Sequence, residues 1–444
     1  MDVSLWIPGL DSDTNQNFEN VHHGTNIDGM PSSEFLVIPD DCSNTTTVFL
    51  PTHKFTNANI GQSSALRHAV IGLGGYHWGL VNCGQDVMDM NDCDRIWRTH
   101  RGHALHDIRS HLFHFPGFSV LENNQRQEKI EALCGVIHLI CLDILTGEGE
   151  SDNLLTYIEA AVNLLAHIHF GKDSVTCEEG TKTPRLIDRH GLLTHEQISE
   201  DSETLSVSLL SAATFRFAIL WSASARRRPI INERLERNVA LHHVKMQHMF
   251  GCQVWVIASI NEIVKLDYWR RELDKTRQLS ITELVTRAES IKEAIEEGLE
   301  VLKADEKDSD ECSVTDRTTI ALITEIFASA AMTYLHIVVS GPHPTINEIQ
   351  RSVVATIRLF ETIADTSWVK FAVWPLCVTG CLAATAEQRN YVERLLLTRD
   401  PDPWAHRQLQ KSLEAMKECW RRRDKDDSVV DWSVMGSWRG VMIA

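Results

Sequence analysis

From Ser64 to near the end of the chain, apolar residues recur at three- and four-residue intervals, and the two-residue alternation of a half-buried strand is almost absent. That periodicity constrains the fold more than any other feature of the sequence. The segments SSALRHAVIGLGGYHWGLV, Arg95 to Phe115, EKIEALCGVIHLICLDIL, NLLTYIEAAVNLLAHI, SLLSAATFRFAILWSASA and GCQVWVIASINEIVKLDYW each read as helices with a buried face. The expected fold class is therefore all-α, an irregular multi-helix domain, because no fixed sequence period marks a solenoid.

Three helix starts carry recognisable chemistry. Ser280 and Glu283 have the spacing of a capping box ahead of Ile281, Leu284, Val285, Ala288, Ile291, Ile295, Leu299 and Leu302. Thr345 and Glu348 repeat that spacing ahead of Ile349, Val353, Ile357, Phe360 and Ala364. Asp402 followed by Pro403 reads as an N-cap with proline at the first helical position, and Leu409, Leu413, Met416 and Trp420 form the stripe behind it.

Other stretches lose the period. Residues 1–60 hold eight acidic side chains against Lys54 and read as a flexible acidic arm, with the body expected over 61–444. Residues 171–203 are expected to form a surface insertion, and 304–317 an acidic loop. The formal net charge of −18 disfavours non-specific nucleic-acid binding, which depends on neutralising phosphates. The N-terminus shows neither a basic leader nor an apolar stretch, and the run from Ala132 to Leu145 is too short to cross a bilayer, so the expectation is a soluble intracellular protein with no membrane partner. Eleven cysteines scattered through apolar segments fit reduced, buried thiols.

Candidate chemistry is sparse. In WRTHRGHALHDIRSHLFHF, the residues His100, His103, Asp107, His111 and His114 fall within about 80° of helical arc, and His103, Asp107 and His111 are the candidate metal ligands. One straight helix seldom supplies more than two ligands to one ion, because turns lie about 5.4 Å apart. A polar flank is the favoured reading. Cys134, His138 and Cys141 also share a helical face, but Leu133, Ile137, Ile140 and Ile144 around them favour buried thiols in a core helix. Neither Cys-x-x-Cys nor His-Glu-x-x-His nor a phosphate-binding glycine loop occurs, and GLGG at 72–75 lacks a preceding strand. No enzyme activity and no cofactor are expected. The basic runs Arg226–Arg228 and Arg421–Arg423 read as solvated helix ends.

In WPLCVTGCLA, Pro375 suits a helix start, and Cys377 and Cys381 lie one turn apart with Gly380 between them. The reading is close packing, in which small residues admit a neighbouring helix and thiols fill the seam.

This stretch, together with YLHIVVSGPHP (Tyr334 to Pro344) upstream and Glu387, Gln388, Arg389 and Tyr391 downstream, resembles the C-terminal signature of the fungal-specific transcription factor domain. Tyr334, His336, Gly341, Trp374, Pro375, Gly380, Cys381 and Arg389 are its signature residues here. The terminal DWSVMGSWRGVMIA agrees with it in order, and the likeness runs from about residue 60 to the end. Members of that family normally begin with six zinc-binding cysteines spaced Cys-x2-Cys-x6-Cys and again after a loop, whereas the first sixty residues here contain only Cys42. The resemblance implies a nuclear transcription regulator of a pathway-specific kind, such as those of trichothecene-type mycotoxin clusters. With the zinc cluster missing from that stretch, it is expected to act through transcription machinery or a DNA-binding partner protein. A helical sensor binding a small-molecule effector and a helical metalloenzyme are the alternatives.

Overall fold

The computed structural model describes residues 68–69, 72, 90–113, 123–146, 151–170, 202–231, 233–239, 251–307, 314–363, 369, 371–397 and 403–425. Among them twelve helices and no strands occur: α1 (Met90–Phe113), α2 (Asn123–Thr146), α3 (Ser151–Phe170), α4 (Ser202–Ala225), α5 (Glu233–Val239), α6 (Val254–Lys275), α7 (Ile281–Lys307), α8 (Val314–Ser340), α9 (Asn347–Thr362), α10 (Val373–Cys381), α11 (Ala386–Leu397) and α12 (Pro403–Lys425).

The helices close a circuit. α2 packs on α3, α3 on α4, α4 on α6, α6 on α8, α8 on α10, α10 on α12, and α12 returns to α2. α1 lies against α2, α7 against α6 and α8, α9 against α8 and α10, and α11 against α10 and α12. Position in the circuit sets composition. α4 is buried at nearly every residue from Ser206 to Ser224, and α10 is buried along its whole length. α7 buries only a narrow line of Leu284, Ala288, Ile295 and Leu302. The apolar stretches 206–225 of α4 and 319–340 of α8 are long enough to cross a membrane, yet they are 100% and 67% buried within the protein and serve as core helices.

Ion pairs tie the periphery to this core. Arg101 of α1 grips Asp143 of α2 through two bonds of 2.7 and 2.9 Å. Arg226, just beyond α4, holds Asp267 of α6 at 2.5 and 3.0 Å. Each carboxylate is almost completely buried, so each guanidinium compensates a charge that would be costly alone.

Several helix starts differ from the sequence reading. The Ser280 hydroxyl accepts the Glu283 amide at 3.3 Å, but the Glu283 carboxylate turns to Arg287 and completes no box. Ile281 and Val285 are exposed rather than part of the buried line, because α7 meets its neighbours along one narrow edge. Thr345 caps nothing: α9 begins at Asn347 with Ile346 in the cap position and no side-chain cap. A Thr-x-x-Gln box forms instead at α11, where Thr385 Oγ1 accepts the Gln388 amide at 3.2 Å and Gln388 Oε1 accepts the Ala384 and Thr385 amides at 2.7 and 3.2 Å. Pro403 is the first residue of α12, as its fixed φ suits.

The segment expected as an acidic loop is shorter than 304–317, since α7 runs to Lys307 and α8 opens at Val314. α4 starts at Ser202, inside the expected end of the insertion, while 171–201 and the arm 1–60 lie outside the described residues.

Candidate functional site: the joint around α10

α10 is a nine-residue helix inside the protein, and its carboxyl end presents a physical problem. The last carbonyls of a helix have no partner within it, and a buried end must find them elsewhere. Side chains from three other helices supply what is missing. Trp420 Nε1 of α12 donates to Gly380 O at 2.8 Å, and Arg423 of α12 donates to Cys381 O at 3.1 Å and also to Ala383 O. Gln350 of α9 donates to Leu382 O at 3.2 Å and accepts from Gln388 of α11 at 3.2 Å. Arg389 of α11 reaches Ala383 O at 3.4 Å and stands over the Trp420 ring at 5.6 Å. Two guanidinium groups thus complement the negative end of the helix dipole.

Of the residues read as a signature, Gly380, Cys381 and Arg389 lie at this end, Tyr334, Trp374 and Pro375 at the opposite one, and His336 and Gly341 toward the end of α8. Trp374 is stacked on Phe327 at 6.2 Å between ring centroids and meets Tyr334 edge-on at 6.2 Å, which fastens the start of α10 to α8. Pro375, in the third helical position, gives up an amide that needs no partner there. Gly380 faces α12 and α11: a Cβ added to it would collide with Met416 Sδ and lie 3.2 Å from Val392 Cγ1. Arg389 clamps Asp424 with bonds of 2.6 and 2.8 Å, and this pairing holds the Asp424 carboxyl below its usual range. Gly341 terminates α8 at φ +88, and its amide bonds Ile337 O at 2.9 Å. His336, half-buried, has its imidazole pushed below the ordinary range by burial, with Glu348 pulling the other way.

The thiols in the joint are of two sorts. Burial pushes Cys377 up to about 12, and its sulfur bonds Ser412. Cys381 and Cys419 hydrogen-bond each other across the seam, and burial raises Cys381 well above its ordinary value. The close-packing reading of WPLCVTGCLA holds, with α12 as the neighbouring helix.

The metal candidates do not converge. His103 is exposed, Asp107 is half-exposed, and the side chain of His111 lies outside the described residues. His103 meets His68 and His100 instead, at centroid distances of 4.9 and 6.4 Å. His68 Nδ1 and His100 Nδ1 are 2.8 Å apart, so one of them must accept, and burial with the two neighbouring imidazoles depresses His100 to about 4. Among the described residues no group of three His, Cys, Asp or Glu side chains is arranged to hold a metal ion. Cys134 and His138 are core residues, the imidazole bonded to Cys134 O at 2.8 Å. Cys141, half-buried at one edge of the same helix, packs against that core.

Sequence reasoning missed Gln350 and Cys419, and placed Met416 only in the buried stripe of its helix. Only the Thr-x-x-Gln spacing at 385–388 offered a local signal. Arg423 looked like one member of a solvated basic run, but in that run Arg421 and Arg422 pair with Glu418 while Arg423 turns inward to α10.

The class defined by this fold and joint is an all-α protein whose circuit of helices is closed by side chains converging on one short buried helix. The chain belongs to the fungal specific transcription factor domain family, whose model matches residues 35–442. It is 35% identical over 181 residues to the trichothecene biosynthesis transcription regulator TRI10 of Trichoderma arundinaceum, covering 41% of this chain and 40% of the relative. The match to the protein of the same name from Fusarium sporotrichioides is 31% over 201 residues, 45% of each chain. With the transcription factor dibT of Pestalotiopsis microspora it is 28% identical over 313 residues, 66% of this chain and 47% of the relative. The matches therefore span less than half the length of these relatives. No solved structure matches the chain.

Proposed function

We propose that this chain is a non-catalytic, pathway-specific transcription regulator that works in the nucleus on a secondary-metabolite gene cluster, of trichothecene type, and reaches DNA through protein partners. The observation that carries the reading is the family match over 35–442 together with relatives named as regulators of trichothecene biosynthesis. Another relative, from Aspergillus flavus, is named the ustiloxin B cluster transcription factor ustR, 28% identical over 195 residues.

Electrostatics support the partner-dependent part. The exposed side of α7 carries Glu289, Glu293, Glu296, Glu297 and Glu300 within about 100° of arc, on a chain of net charge −18. Such a surface repels phosphate. The basic run of α12 is occupied by Glu418 and by the carbonyls of α10, so it is not a free patch for a DNA backbone.

Two measurements test the reading. Deleting the gene should silence one biosynthetic cluster while leaving bulk transcription intact, and unchanged cluster transcripts would remove the pathway assignment. The purified chain alone should leave promoter DNA unshifted at physiological salt, while a nuclear pull-down recovers a DNA-binding protein or transcription machinery. Tight binding of a defined promoter sequence by the chain alone would overturn the partner-dependent mechanism.

A further inference from the structure

Cys381 ends α10 and Cys419 lies on α12, and the bonds on either side of them fix their meeting. Trp420, next to Cys419, bonds the carbonyl of Gly380, next to Cys381, at 2.8 Å. Arg423, one turn beyond Cys419, bonds the carbonyl of Cys381 itself at 3.1 Å. At Gly380 the Met416 side chain of α12 packs directly on the α10 backbone, leaving no room for a Cβ. A disulfide requires Cα atoms about 4.4–6.8 Å apart and side chains that face each other. The bonds on either side bring α10 and α12 together at this point, and the sulfur-to-sulfur hydrogen bond turns the two side chains toward each other.

We propose that Cys381 and Cys419 form a redox couple, and that a hydroperoxide converts the two facing thiols into a disulfide that locks α12 onto α10. The roles follow from the surroundings. The Cys381 S–H points its hydrogen bond at Cys419, and Arg423 and Arg422 stand near it; against the opposing effect of burial these draw Cys419 toward thiolate and make it the attacking sulfur. Cys381, more deeply desolvated, keeps its proton and resolves. Cys377 turns its sulfur to Ser412 instead.

The Cys419 thiolate attacks one peroxide oxygen and the O–O bond breaks. The other oxygen leaves as hydroxide, which becomes water on taking a proton. Cys381 then attacks the sulfenic sulfur, the S–O bond breaks, and hydroxyl leaves as water with the Cys381 proton. Two thiols lose two electrons in all, and peroxide is reduced to two waters. A dithiol reductant reverses the bridge by exchange. Because α10 to α12 is a link in the circuit, the bridge makes covalent a joint otherwise held by packing and hydrogen bonds.

The test is graded hydrogen peroxide on the reduced full chain, followed by alkylation, non-reducing peptide mapping and thermal unfolding. The expected result is a Cys381–Cys419 linked peptide at doses that leave Cys134, Cys141 and Cys252 reduced, with a raised unfolding midpoint that dithiothreitol restores, since the link restrains the unfolded chain. Cys419→Ser should abolish both changes and Cys377→Ser should preserve both, with circular dichroism confirming that each variant is helical. Should Cys419→Ser fail to fold, the wild-type map decides. A Cys377–Cys419 link, oxidation of Cys419 without a link, linkage only after the core thiols have reacted, or an unchanged or lowered midpoint would each overturn the proposal.

Discussion

In α2, Cys134, His138 and Cys141 share one face of one helix, whereas in the joint Cys381 meets Cys419 across two helices. The sequence spacing of four and three in α2 suggests a ligand group, yet the structure turns His138 onto the carbonyl one turn back and leaves both thiols protonated, Cys141 at about 12. In the joint the sulfurs are far apart in sequence and face each other beside two arginines. Cys134 Sγ lies 3.6 Å from His138 Nδ1, so proximity along one helix brings contact without reactivity. Reactivity comes from what a second element brings.

Trp374→Ala should produce the largest effect that separates the two regions. It removes a fully buried ring that packs on both Phe327 and Tyr334, and equilibrium denaturation should show a loss of about 3–5 kcal/mol. Gly380→Ala comes next, at about 1–3 kcal/mol, because the new methyl collides with Met416 and Val392 in a seam already full. If Gly380→Ala is neutral, the seam is looser than described and the contrast with α2 fails.

Acidification should act on the opposite region. His100 and His138 have folded pKa values below the usual ~6.5, so the unfolded state binds more protons and stability falls as pH drops through that value toward about 4 for His100. Half-buried His336 adds in the same direction. After screening, the His100 share is about 1–2 kcal/mol by pH 5, and His100→Gln should flatten the curve in a pH series of unfolding midpoints. The carboxylates at the joint behave otherwise: Asp424 and Glu418 are depressed, so the stability they add is present above the ordinary carboxylate range and is lost only as pH falls through the lower folded values.

Gly102→Ala, in α1 beside α2, should have the reverse sign of Gly380→Ala. Nothing lies within 4 Å of its added Cβ, and the gain in helix propensity should stabilise by about 0.5–1 kcal/mol. Arg389→Lys is the mildest change, below about 1 kcal/mol, since Asp424 is exposed, the bond to Ala383 O is long, and the positive charge is kept while the two-pronged geometry and the stacking on Trp420 are weakened.

How much was legible follows from the range of each interaction. The line of Leu284, Ala288, Ile295 and Leu302 could be read because helical periodicity is local. Thr345 misled because a cap depends on where the preceding turn releases the chain, and α8 ends at Gly341 in a way that moves the start of α9 to Asn347. The signature residues could be listed from WPLCVTGCLA and its neighbours, but their roles could not. Gly380 has meaning only once Met416 stands opposite, and Arg423 only once the end of α10 lies within its reach.

By itself the sequence determined that the chain is helical, that its charge is acidic and that α10 is apolar and small-sided, because backbone preference and burial pattern are written residue by residue. The tertiary structure decided which thiols meet, which carbonyls are capped from outside and which histidines stack. The thiol pair and the bonds from Gln350, Trp420 and Arg423 link positions tens of residues apart, and only the packing of α9 and α12 around α10 brings them within bonding distance.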